Sequence, residues 1–199
     1  SPGKIVLLVM DGLGGLPHPE TGRTELETAK TPNMDKLARE GMCGLSEPLG
    51  PGLTPGSGPG HLGLFGYDPF AFTIGRGILE ALGIDFPLVK GDVAARGNFC
   101  TIDGKGIITD RRAGRISTEE CARLCRRLSA IEMPGMKALV SAVEGHRFLL
   151  VLRGEGLREE LEDSDPQQVG HTPKEVVALD AGAEKTARLV NEWISKAKS

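Results

Sequence analysis

The sequence predicts an α/β fold in which a first segment is joined to a second, smaller α+β lobe. Three observations carry this reading. Ile5-Val6-Leu7-Leu8-Val9-Met10 is a continuous apolar run that stops at Asp11-Gly12. Thr31 to Gly41 is a helix with both ends punctuated. From about Leu82 the pattern changes to strands, tight turns and one amphipathic helix.

A continuous apolar run reads as a strand buried on both faces, as in a parallel sheet under helices. Residues 5–10 are therefore predicted to be such a strand, with Asp11 at its C-terminal edge, where open α/β sheets bind ligands. In the helix that follows, Thr31 caps, Pro32 takes the first position and Gly41 makes a left-handed stop. Met34, Leu37 and Ala38 form its inner face. Residues 48–60 are rich in Gly and Pro, as a disordered linker would be, but they lead into His61-Leu62-Gly63-Leu64-Phe65, which reads as the start of a buried helix.

In the second part, Asp92 to Ile102 and Gly106 to Asp110 are predicted to be two strands joined through Asp103-Gly104, a strong hairpin signal. Ser117-Thr118-Glu119-Glu120 has the form of a capping box. The helix it opens carries Cys121, Leu124, Cys125 and Leu128 on one stripe. Arg147 to Arg153 is a strand with an apolar centre, and residues 155–171 are polar and irregular. The last helix, about 181–198, turns Val190, Trp193, Ile194 and Ala197 to one side. The predicted layout is a first segment at 1–81, an inserted or appended lobe at 82–175, and a helix at 176–199 that returns to the first segment's core.

Composition narrows the function classes. Of 199 residues, 39% are apolar, 26% charged and only 4% aromatic, so a core of Leu, Val, Ile and Ala is expected. A net charge of -3 gives no global pull towards nucleic acid or an anionic membrane. No stretch approaches the ~20 apolar residues of a membrane helix. Cys43, Cys100, Cys121 and Cys125 form no CxxC or zinc-finger spacing. They read as reduced thiols, which with the lack of a signal peptide points to the cytoplasm.

Two positions carry candidate chemistry. Asp11 after the apolar run is a standard place for a hard-cation ligand, although a plain turn aspartate also fits. Ser57 sits in Thr54-Pro55-Gly56-Ser57-Gly58-Pro59-Gly60. Flanking glycines let a substrate approach the hydroxyl, and a following helix N-terminus would stabilise an anion there. A linker serine would have the same neighbours.

Val9-Met10-Asp11-Gly12 followed by Thr31-Pro32-Asn33-Met34-Asp35-Lys36-Leu37-Ala38 resembles the opening of the alkaline phosphatase superfamily. Several further segments are similar to archaeal-type 2,3-bisphosphoglycerate-independent phosphoglycerate mutases. These are Pro55 to Leu62, Leu64-Phe65-Gly66-Tyr67-Asp68-Pro69, Gly75-Arg76-Gly77, Gly91 to Phe99, Asp110-Arg111-Arg112-Ala113-Gly114-Arg115-Ile116, Leu152 to Leu157 and Asp163-Ser164-Asp165-Pro166. Where family serines are often followed by Asp-Thr-Ala, this chain has Gly58-Pro59-Gly60. The resemblance implies the first half of an alkaline-phosphatase-like core carrying the smaller lobe. It also implies a glycolytic isomerase that interconverts 3- and 2-phosphoglycerate through a phosphoserine. Asp11 and Ser57 would bind metal, and Ser57 would be the nucleophile. Two divalent ions (Mn, Mg, Co or Zn) are implied for the full-length enzyme.

Arginines suit such a substrate, because the guanidinium fork grips phosphate and carboxylate in a planar, bidentate way. Arg96, Arg111, Arg112 and Arg115 are the candidates for holding phosphoglycerate, with His61 as a further contact; Arg76 and Arg153 are weaker ones. A phosphatase or phosphodiesterase on the same core is the alternative, but it has no need to retain its leaving group. Family enzymes are about twice this length, and their second half supplies Asp and His metal ligands. None of His18, His61, His146 and His171 lies in an Asp-His or Asp-x-x-x-His pair. The chain by itself is therefore expected to be an incomplete, inactive enzyme whose partner is the missing C-terminal half of the core; a phosphoglycerate-binding or subunit-pairing fragment is the non-enzyme alternative. A homo-oligomer stays open.

Overall fold

The computed structural model describes residues 3–10, 12–53 and 56–198. The chain divides into two compact units, Ser1–Glu47 and Pro48–Ser199.

In the first unit the expected strand is not formed. Residues 5–10 are irregular and exposed, from 99% at Ile5 to 44% at Met10. A doubly buried strand exists only between partner strands and under helices, and the described residues of this unit contain no strand. Two helices form, α1 (Glu25–Thr28) and α2 (Pro32–Glu40). A reciprocal capping box opens α1: the Thr24 side chain accepts from the Glu27 amide, and Glu27 accepts from the Thr24 amide. Pro32 starts α2 as expected, but Thr31 spends its hydroxyl on Asp35 at 2.9 Å instead of capping an amide. Gly41 ends the helix in an extended conformation, φ -103°, not a left-handed one. Leu37 of the expected inner face is 72% exposed.

The second unit is built on a three-stranded antiparallel sheet in the order β1 (Val93–Asn98), β5 (Arg147–Arg153), β4 (Lys137–Ala142). Central β5 is buried on both faces because its neighbours and helices cover it. Phe148, Leu150 and Leu152 face a cluster with Cys121 and Cys125 of α5 (Thr118–Ser129) and Val190 and Trp193 of α6 (Glu184–Ala197). Leu149 and Val151 face the other side, against Ala81 of α4 (Arg76–Gly83). Helix α6 packs on the lobe's own sheet. Helix α4 can approach β1 only because Gly77 has no side chain, since a Cβ there would strike the Ala94 carbonyl.

The strand predicted at 92–102 is divided. β1 joins the sheet, and after Phe99 and Cys100 the chain turns into β2 (Thr101–Ile102), which pairs with β3 (Ile108–Asp110). The Asp103 turn between them is formed as expected, its carboxylate accepting from the amides of Lys105 and Ile107. Half of the predicted capping box at α5 is present. Ser117 accepts from the Glu120 amide, but the Glu120 carboxylate turns to Arg123. Cys121 and Cys125 are buried free thiols. Burial, with the Cys121 sulfur 4.0 Å away, pushes the Cys125 thiol up to about 12. Among the described residues no helix is long and apolar enough to cross a membrane.

Candidate active site

Ser57 is the first residue of α3 (Ser57–Leu64), with Gly56 at the N-cap. The helix therefore begins four residues earlier than the apolar pattern from His61 indicated, and none of its residues is buried. That start places the Ser57 hydroxyl in the first turn, where free amides point outward and favour negative charge. Ser57 is exposed at a cavity of about 420 Å³ whose other walls include His61, Phe65, Tyr67 and Leu79.

His61 stands one turn along α3, and its Nδ1 is 2.6 Å from the Ser57 carbonyl oxygen. A carbonyl only accepts, so Nδ1 carries the proton and Nε2 is the nitrogen left for another partner. Arg76, the first residue of α4, stands on the same side: its Nη2 is 3.9 Å from where a Gly56 Cβ would be.

The lobe arginines fall into two groups. Arg96 on β1 pairs with Glu80 of α4 at 3.5 Å, and Arg111 pairs with Asp165 at 2.7 Å. Arg153 is committed to Asp92 through two hydrogen bonds of 2.8 Å. Arg112 and Arg115 have no carboxylate within ion-pair distance among the described residues; both charges act on His146. Asp165 lies within reach of the charge of Arg76 as well as that of Arg111. Its burial alone would raise its pKa, but the Arg111 hydrogen bond, the Gln167 amide and the charges of Arg111 and Arg76 outweigh that and lower it. Sequence reasoning missed Asp165, Glu80 and Asp92 as partners of these arginines.

Asp11 lies outside the described residues. Among the described residues no three His, Cys, Asp or Glu side chains converge as a cation would require. The surroundings of Ser57 are largely apolar. These residues alone do not fit a pair of divalent ions.

A family model for 2,3-bisphosphoglycerate-independent phosphoglycerate mutase matches residues 38–199. A relative from Thermus thermophilus is 53% identical over 193 residues, covering 96% of this chain and 48% of the relative. One from Thermotoga maritima is 51% identical over 195 residues, covering 97% and 48%. Both carry the description "Probable 2,3-bisphosphoglycerate-independent phosphoglycerate mutase". The chain thus spans about half the length of the curated relatives it matches. Among solved structures, the cofactor-independent phosphoglycerate mutase from Thermoplasma acidophilum matches with TM-score 0.59 and 35% identity, over 96% of this chain and 50% of that one. A protein from Pyrococcus horikoshii matches with TM-score 0.63 and 31% identity, over 94% and 42%. The mixed α/β architecture expected from the sequence is the one shared with these structures. The chain belongs to the 2,3-bisphosphoglycerate-independent phosphoglycerate mutase family of the alkaline phosphatase superfamily, and it covers roughly half of that larger enzyme.

Proposed function

We propose that this chain supplies the nucleophile and the anion-holding arginines of an enzyme that interconverts 3-phosphoglycerate and 2-phosphoglycerate through a phosphoserine on Ser57. The observation that carries the reading is the position of Ser57: first turn of α3, exposed, with the Arg76 guanidinium beside the same loop. Attack of the Ser57 oxygen on phosphorus forms the phosphoserine as the bond to the glycerate oxygen breaks. The helix N-terminus and Arg76 favour the charge on the transferring group. Glycerate is retained by its carboxylate, reorients, and its other hydroxyl takes the phosphoryl group back. Retention is the work assigned to Arg96, Arg111, Arg112 and Arg115, with His61 Nε2 as a hydrogen-bond partner near the nucleophile.

Two divalent ions belong to this reading through the family. Asp11 and Ser57 are the ligands this chain would offer, and one carboxylate with one neutral hydroxyl does not fill two coordination shells. The lack of a ligand cluster among the described residues favours a second statement, about the 199-residue chain by itself: it holds anions without turning them over.

The test uses the family-length enzyme. Quenching it during turnover of 3-phosphoglycerate should leave phosphate on the peptide containing Ser57, and Ser57→Ala should abolish both label and turnover. Phosphate on another residue, or more than a few per cent of activity in the variant, removes Ser57 from the nucleophile role.

A further inference from the structure

Helix α4 touches the nucleophile loop on one side and the lobe's sheet on the other. Its first residue, Arg76, brings Nη2 to 3.9 Å from where a Gly56 Cβ would be, and Leu79 brings Cδ1 to 3.0 Å from where a Gly58 Cβ would be. Ser57 lies between those glycines, and it lines the same cavity as Leu79. Towards the sheet, Gly77 lies on the Ala94 carbonyl, and Ala81 is fully buried with Leu149 and Val151. A side chain at Gly58 or Gly77 would push the loop or the strand away, so α4 is seated closely on both.

A strand turns alternate residues to one face. Ala94 and Arg96 of β1 stand opposite Val151 and Leu149 of β5 in the register, on the face that α4 covers. Glu80 of α4 meets Arg96 there. Its Oε1 is 3.5 Å from the arginine Nη1, with the two side chains 17% and 23% exposed. Arg76 stands one turn before Glu80 on the same helix. A cation four residues ahead of an anion is the less favourable order within a helix, and Glu80 pairs with the arginine on the sheet. Charges this far withdrawn from water are screened less than an exposed pair, so they hold each other more firmly.

We propose that Glu80 is a positioning residue. From a helix seated on both the Ser57 loop and β1, it fixes where the Arg96 guanidinium stands relative to the nucleophile, so that glycerate is held during the transfer. That the group held is glycerate rests on the mutase reading; the α4 contacts do not.

The experiment compares Glu80→Gln, Arg96→Gln and the double variant in the family-length enzyme. Glu80→Gln keeps the shape of the side chain and removes its charge. Phosphate should still reach Ser57 as in the parent. The KM for 3-phosphoglycerate and the ratio of hydrolysis to isomerisation should each rise about five-fold, as for one lost ion pair that water partly screens. In the Arg96→Gln background the same substitution should change neither, since the group it acts through is gone. A role confined to holding α4 on the sheet would have the same effect in both backgrounds. Glu80→Asp, which keeps the charge with a shorter reach, should fall between the parent and Glu80→Gln, and it replaces that variant if the glutamine fails to fold. No label on Ser57 in the parent brings down the mutase reading, and the proposal with it. With that label present, unchanged kinetics in Glu80→Gln, a falling KM, or equal effects in the two backgrounds overturns the proposal alone. A falling KM would mean that Glu80 only competes with substrate for Arg96.

Discussion

Arg111 donates from Nη2 to Oδ2 of Asp165 at 2.7 Å, while its Nε is buried without a partner among the described residues. The guanidinium is thus anchored at one edge and has an unused donor. Asp165 is itself held, its other oxygen accepting from the Gln167 amide at 2.8 Å, and the charge of Arg76 reaches it. One carboxylate therefore holds Arg111 by a hydrogen bond and lies within the electrostatic reach of Arg76.

If that anchoring matters for retaining glycerate, Asp165→Asn in the family-length enzyme should raise the KM for phosphoglycerate. The pair is more than a third exposed, so its loss is worth roughly 0.5–1 kcal/mol and the rise is expected to be about two- to five-fold. The ratio of hydrolysis to isomerisation should rise with it, because an arginine that wanders releases the glycerate. Arg111→Lys should do the same, having charge but no fork. Steady-state kinetics with both products measured checks this, and unchanged ratios in both variants would assign the pair to surface stability alone.

Asp92 and Arg153 tie the start of β1 to the end of β5 through two hydrogen bonds of 2.8 Å, with the Asp92 side chain only 2% exposed. The Arg153 hydrogen bonds hold the Asp92 pKa below its ordinary value. A depressed carboxylate contributes stability that is present above its unfolded pKa, about 3.9, and lost as pH falls through the folded one. Denaturant midpoints measured below about pH 4 should therefore fall less steeply in Asp92→Asn than in the parent. Arg153→Met, which strands the buried carboxylate, should cost roughly 2–3 kcal/mol at neutral pH.

Leu152 is 1% exposed in the cluster between the sheet and α5 and α6. Leu152→Ala removes buried methyl groups and leaves a cavity, so urea unfolding should show a loss of about 2–5 kcal/mol. Ile102, 46% exposed on β2, is the control. Its alanine variant should stay within about 0.5 kcal/mol. Equal effects would mean that the lobe's stability does not rest on β5.

Strand β5 was legible because Phe148 to Leu152 signal burial and the chain itself supplies the cover. The same argument at residues 5–10 names a burial that the described part of the first unit does not supply. A local pattern reports what a segment requires, whereas neighbours decide whether it is met. Helix α4 has no counterpart in the sequence reading, because two glycines flank Arg76 at its start and the reason for Gly77, contact with Ala94, is tertiary. The left-handed turn at Ala113, Gly114 and Arg115, with φ of 48°, 64° and 56°, was hidden because only Gly114 among its residues signals positive φ. At the candidate site, Ser57 at a helix start was readable from local chemistry. The partner of Arg111 was not, since Asp165 lies 54 residues away along the chain. From the sequence the four arginines are equal candidates; the structure separates paired Arg96 and Arg111 from Arg112 and Arg115.

Among the described residues no group of three His, Cys, Asp or Glu can hold a cation, and Asp11 adds one carboxylate at most. A pair of dications needs several oxygen or nitrogen donors each. The 199-residue chain alone is therefore expected to show no saturable binding of manganese, cobalt, zinc or magnesium below about 1 mM, by calorimetry, and no mutase turnover with any of them. The lobe is predicted to be folded under those conditions, because its sheet is covered on both faces within the chain, by α5 and α6 on one side and α4 on the other. Its far-ultraviolet circular dichroism should thus show a cooperative thermal transition while activity is absent. Adding the complementary half of a family enzyme, expressed separately, should restore metal binding and turnover together, since both depend on the same ligands. Turnover by the chain alone would show that the described residues hide a complete site, and metal binding restored without turnover would separate the ion site from the Ser57 chemistry.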